Sequence, residues 1–192
     1  MNRNCDNSVL YWPGMKRDPQ ELSTLLAHLT TFGITVQTLS ALYDTGPLPS
    51  EPLSHVHQEI MHSDFEPSNW WIGLSLGGAV AHIVCSTICA EKRPARLTLI
   101  NPFADRIELS KIHQFALDEQ WPLRPYKYPL PPGTIVDLVL SLRDERIPSE
   151  QGLHLHALWE AKKSQVLWVD SDHAISDSDA QRRLVESLLY IP

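Results

Sequence analysis

Cysteine, long apolar runs and clustered positive charge are all scarce in this 192-residue chain, and each scarcity narrows what the protein can be. Three cysteines cannot pair completely, so a disulfide-stapled secreted scaffold is disfavoured and reduced thiols in a cytoplasmic setting are expected. Cys85 and Cys89 stand four residues apart along an expected helix, where adjacent turns suit a disulfide poorly and small core residues well. The opening residues Met1-Asn2-Arg3-Asn4-Cys5-Asp6 contain no apolar core of the kind a signal peptide needs, and no later run is long enough to span a bilayer. A soluble, cytoplasmic protein without a membrane partner is expected. The formal net charge of −7 and the lack of a basic cluster argue against nucleic acid or an anionic lipid surface as partner. Repeats and low-complexity tracts are also missing. Metal-ligand spacing is missing as well: the pair His154 and His156 would diverge on a helix.

What is present is an alternation of short apolar runs with amphipathic ones. Strands are expected at 9–12, at 33–39 with Ile34, Val36 and Leu39 as apolar residues, at 69–72, at 96–101, at 134–142 and at 165–169. Between them lie expected helices at 19–31, 51–63, from 79 onward and 180–189, the last with Ser and Asp cap candidates before it. This order implies an α/β protein: a three-layer α/β/α sandwich around a mostly parallel sheet. The length suits one domain, 1–192, with a short cap or linker segment at about 103–133. In such open sheets ligands bind at the carboxyl ends of the strands. Among the six tryptophans, Trp70, Trp71, Trp159 and Trp168 fit core positions.

The sharpest local feature is Ile72-Gly73-Leu74-Ser75-Leu76-Gly77-Gly78. The residues before it, Asn69-Trp70-Trp71-Ile72, read as a buried strand, and those after it, Ala79-Val80-Ala81-His82-Ile83-Val84-Cys85, read as a helix. A serine at so tight a junction holds its hydroxyl out at the tip of the turn in a strained backbone, and side chains at 73 or 77 would strike the neighbouring strand or helix. Downstream, the run at 134–142 ends in Arg143-Asp144-Glu145-Arg146-Ile147-Pro148, and the run at 165–169 ends in Asp170-Ser171-Asp172-His173-Ala174.

Gly73-x-Ser75-x-Gly77, followed in order by a strand with Asp144 and a strand with His173, resembles the α/β-hydrolase superfamily, in the form of a small, lid-poor esterase or thioesterase. The resemblance implies a triad of Ser75, Asp144 and His173, with Glu145 and the in-strand Asp137 as alternatives for the acid. His173 lies 29 residues beyond Asp144, room for one helix and one strand. It also implies an oxyanion hole built from the backbone N–H of Leu76 and a second N–H from the loop after the first strand. Many relatives carry His-Gly in that loop. Here it reads Trp12-Pro13-Gly14-Met15, which keeps the glycine and loses the histidine, so Met15 is the first candidate donor and Trp12 the second. The antiparallel strands that usually open this fold are not seen ahead of the first strand, which implies a minimal version of it.

The chemistry needs these residue types. A serine hydroxyl is a poor nucleophile at neutral pH unless a base takes its proton, and an imidazole serves as that base when a carboxylate fixes its tautomer. No metal or organic cofactor is required. The implied substrate is a small acyl ester or acyl thioester, free or carrier-protein-bound. Biosynthetic thioesterases and the carrier-protein methyl ester esterases of the biotin pathway are similar small proteins. Two alternatives stay open at this point: acyl transfer or carbon–carbon cleavage by the same triad, and a hydrolase-like binding module without turnover, which predicts no serine-directed labelling at Ser75.

Overall fold

A computed structural model of the chain describes residues 8–14, 22–39, 60, 69–105, 107–108, 123–159 and 164–190. Six strands form one sheet: β1 (Ser8–Trp12), β2 (Thr35–Thr38), β3 (Trp70–Leu74), β4 (Arg96–Ile100), β5 (Ile135–Ser141) and β6 (Ser164–Val169). All five ladders are parallel, and the spatial order is β2-β1-β3-β4-β5-β6. Four α-helices are described: α1 (Ser23–Thr31), α2 (Leu76–Thr87), α3 (Ser149–Leu158) and α4 (Ser178–Leu189).

Period-two alternation along each strand sends side chains to two separate cores. Val9 and Tyr11, Ile72 and Leu74, Ile100 and Val139 meet α1 and α4 through Leu25, Leu29, Leu184, Val185 and Leu188. Leu10 and Trp12, Trp71, Leu97 and Leu99, Leu138 and Leu140 meet α2 and α3 through Val80, Ile83, Val84 and Leu155. The expected three-layer sandwich with a parallel sheet is therefore the observed fold. Its four inner strands are buried on both faces, which is why they read as near-continuous apolar runs, whereas the outer strands β2 and β6 are only half-buried.

Two expected core positions differ, each for its own reason. Trp168 lies on β6, the outer strand of the sheet among the described residues, with 49% of its surface exposed. Cys89 is exposed because α2 ends at Thr87, before the turn that would have carried it onto the buried face of Cys85. Trp71 and Trp159 are buried as expected. Most of the expected helix 51–63 lies outside the described residues, as do 19–21 and much of the 103–133 segment. The described end of that segment, with Leu123, Tyr126, Tyr128 and Leu130, packs onto the α2/α3 core. No described helix is long and apolar enough to cross a membrane.

Candidate active site

Because every strand runs the same way, the residues that follow β1, β3, β4, β5 and β6 all emerge at one edge of the sheet. Ser75 is the hinge between β3 and α2, with φ 53° and ψ −118°, a left-handed conformation that a serine adopts only under constraint. The constraint is visible in its neighbours. A Cβ at Gly73 would sit 2.5 Å from Gly78 Cα, so β3 and the first turn of α2 approach as closely as two backbones can. A Cβ at Gly77 would overlap the carbonyl oxygens of Trp12 and Pro13, so α2 presses its first turn directly against the end of β1. The Ser75 N–H donates to Ile100 O at 2.8 Å, fastening the turn to β4.

Leu76 opens α2 and is buried. N–H groups in the first turn of a helix have no intrahelical acceptor, so they face outward from the amino end, on the side of the Ser75 turn. Trp12 is fully buried, in register with Gly73 across the β1/β3 ladder, and its ring lies 5.0 Å from that of Trp71. Met15 lies outside the described residues.

Asp144 and His173 are brought together. His173 Nδ1 donates to Asp144 Oδ2 at 2.7 Å, and the two side chains are 9% and 4% exposed. A carboxylate can only accept, so this contact fixes the proton on Nδ1 and leaves Nε2 as the nitrogen able to take another. The other carboxylate oxygen, Oδ1, accepts from the Arg146 and Ile147 N–H groups at 2.8 and 2.9 Å, a local turn that holds the side chain against its own backbone. The two carrying loops are zipped beyond the β5/β6 ladder by Leu142 N to Val169 O, 2.9 Å, and Arg143 N to Ser171 O, 3.0 Å.

The histidine loop has further supports. Asp172 accepts from the Ser176 N–H at 2.8 Å and from the Ser176 hydroxyl. Partial burial pushes its carboxyl up, but these donors outweigh it and hold the group below the usual carboxylate range. Asp177 caps α4 by accepting from Ala180 N at 2.6 Å. Gln181 then ties this loop to α1: its Nε2 donates to Ile175 O at 2.7 Å, and its Oε1 accepts the Leu25 N–H at 2.7 Å, serving a helix start that has no side-chain cap of its own.

The alternative acids are engaged or placed elsewhere. Glu145 is exposed. Asp137 sits near the amino end of β5, fully buried, bound to Arg96 Nε at 2.6 Å, Thr98 Oγ1 at 2.8 Å and Gln165 Nε2 at 2.7 Å. Other reactive side chains are quenched by burial. Desolvation pushes the Cys85 thiol up to about 11, partly offset by Thr134 and Arg93, so it is protonated at neutral pH. His82 is pushed down to about 4 by burial against the raising effect of the Tyr128 carbonyl, and its Nε2 donates to that carbonyl at 2.8 Å. His154 stacks on Tyr126 and His156 meets Ser164, so the two diverge as their spacing predicts.

One residue at this edge escaped the sequence reading. Asn101 follows β4 with φ 46°, is 2% exposed, and holds both Ser141 and the His173 carbonyl. The available signal was a strand ending in Asn-Pro, since asparagine is the non-glycine residue that most readily takes a left-handed backbone.

No family model matches the chain, and no curated protein matches it in sequence. Solved structures do match. The esterase domain of a Rhodothermus marinus protein is similar over 97% of this chain and 87% of its own, at 19% identity and a TM-score of 0.74. A sugar hydrolase from Lactococcus lactis covers 98% and 88% at 14% identity and 0.72. An α/β hydrolase from a lagoon-sediment metagenome of Mar Chica, Morocco, covers 96% and 90% at 12% identity and 0.72. With the sheet order, the serine turn and these likenesses taken together, the chain has the α/β-hydrolase fold.

Proposed function

We propose that this protein is a serine hydrolase that cleaves a small carboxylic ester or thioester through an acyl-enzyme. The observation that carries the reading is the buried 2.7 Å contact between His173 Nδ1 and Asp144 Oδ2 at the same sheet edge as the strained Ser75 turn. In the proposed reaction, Ser75 Oγ attacks the acyl carbonyl while His173 Nε2 takes its proton. Asp144 keeps the Nδ1–H donor in place and offsets the imidazolium charge. The oxyanion of the tetrahedral intermediate accepts from the Leu76 N–H and from a second N–H at or just past the end of β1, with Met15 the first candidate and Trp12, the last residue of β1, the second. Collapse breaks the bond to the leaving oxygen or sulfur, which receives the proton from His173. Water, deprotonated by the same imidazole, then attacks the acyl-Ser75 carbonyl and frees the acid.

The similar structures support the substrate class, since they include proteins described as esterases and lipolytic enzymes. The test is turnover of a matched pair, a p-nitrophenyl ester and an acyl thioester of the same short acid, by wild type and Ser75→Ala. Hydrolysis of either by wild type, with a loss of roughly 10⁴-fold or more in the variant, supports the proposal. Equal rates in both proteins would overturn it.

A further inference from the structure

We propose that Asn101 is the positioning residue that sets the three candidate triad members relative to one another, an inference that rests on the function proposed above. The peptide joining Ile100 to Asn101 is gripped from both sides. Its carbonyl accepts the Ser75 N–H at 2.8 Å, and its N–H donates to Val139 O on β5 at 2.8 Å. The nucleophile turn and the acid-bearing strand therefore hang from one peptide unit. The Asn101 side chain adds the third element: Nδ2 donates to the His173 carbonyl at 2.7 Å and to Ser141 Oγ at 2.8 Å, while Oδ1 accepts the Ser141 N–H at 2.8 Å.

Only one amide orientation satisfies these partners, because a backbone N–H cannot accept and a backbone carbonyl cannot donate. The same logic excludes other side chains. Aspartate would aim a carboxylate oxygen at the His173 carbonyl, and glycine would keep the φ of 46° while losing all three side-chain bonds. Ser141 lies three residues before Asp144, whose N–H reaches the Ser141 carbonyl at 3.4 Å, so the amide bears on the acid loop and the base loop together. Asn101 is thus placed to fix the backbone of His173, and with it the direction in which Nε2 points, without touching a substrate itself.

The variants that test this are Asn101→Gly, which relieves the left-handed backbone, and Asn101→Asp, which keeps the acceptor for Ser141 and removes the donor for His173. Each is compared with wild type in the full chain by thermal melting, by kcat and KM on a p-nitrophenyl ester, by rate of fluorophosphonate labelling, and by the far-downfield proton NMR resonance of His173 Nδ1–H, identified by its absence in His173→Ala. Expected in both folded variants is a fall of about 10²-fold in kcat and in labelling, with KM little changed and the downfield resonance shifted or broadened. Wild-type kcat together with an unmoved resonance in Asn101→Gly would overturn the assignment, as would a rate loss that merely follows the fraction unfolded. An absence of labelling in wild type would strike the triad reading instead, and the resonance comparison would still decide whether Asn101 holds His173.

Discussion

Asp137 and Asp144 lie toward the two ends of β5, and each is bonded to a cationic or basic side chain, yet the proposed function gives them opposite purposes. Asp137 faces the Arg96 guanidinium, a pure hydrogen-bond donor, and Thr98 and Gln165 complete the ring of donors. Trp70 lies under the same group, with its ring 4.6 Å from the guanidinium carbon and its Nε1 donating to Thr98. These side chains bind one another across β3, β4, β5 and β6, so the arrangement is a buried polar clamp. Asp144 instead faces an imidazole, whose Nδ1 it engages while Nε2 is left over. Under the proposed function, a buried carboxylate takes its role from the side chain it faces and from the end of the parallel sheet it occupies.

Substitution separates the two ends. Asp144→Asn should lower kcat/KM by about 10⁴-fold, because the amide can present an N–H to His173 Nδ1 and stabilise the wrong tautomer, while its oxygen still serves the Arg146 and Ile147 N–H groups and preserves the melting temperature. Steady-state kinetics beside a thermal melt reads both. Asp137→Ala should do the reverse. It leaves Arg96 without its carboxylate and should cost about 3 kcal/mol of stability by urea titration, with kcat of the folded fraction close to wild type. If Asp137→Ala abolished turnover at full stability, the contrast between the two ends would be wrong.

A pair of histidines sharpens the same comparison. His173 has a carboxylate beside it, whereas among the described residues the His82 ring meets the Tyr128 carbonyl and a tilted Trp159 ring 5.8 Å away. Its folded value of about 4 lies below the ordinary 6.5, so between those pH values the unfolded chain binds a proton that the folded chain refuses. Stability should therefore fall as pH drops from about 6.5 to about 4, by about 3 kcal/mol in all from this group. His82→Gln, which can keep a donor for Tyr128, should flatten that part of the urea-derived pH profile. An unchanged slope would show that His82 is solvated.

Much of the sheet edge was legible in the sequence because its signals are local. Gly73 and Gly77 flank a serine between an apolar strand and a helix, and the structure shows the backbone contacts that require glycine at both. Asp144 and His173 each follow an apolar run, and parallel topology carries both to one edge. The amino-end clamp was less legible: an acid inside an apolar strand signals a buried partner, but Arg96 lies on another strand and the register that unites them is a tertiary property. Asn101 was missed for a related reason. Its role depends on φ and on bonds to residues 40 and 72 positions away, which no short motif encodes. Trp168 was misread because a strand's apolar pattern does not reveal whether it lies inside the sheet or at its border.

Whether His173 activates Ser75 is read by intact-protein mass spectrometry after brief fluorophosphonate treatment, with wild type, Ser75→Ala and His173→Ala treated side by side and the adduct mapped to its peptide. A stoichiometric adduct on Ser75 in wild type, absent from Ser75→Ala and greatly slowed in His173→Ala, is the expected result. An unmodified wild type, or an adduct on Ser75 that forms as fast without His173, would contradict it.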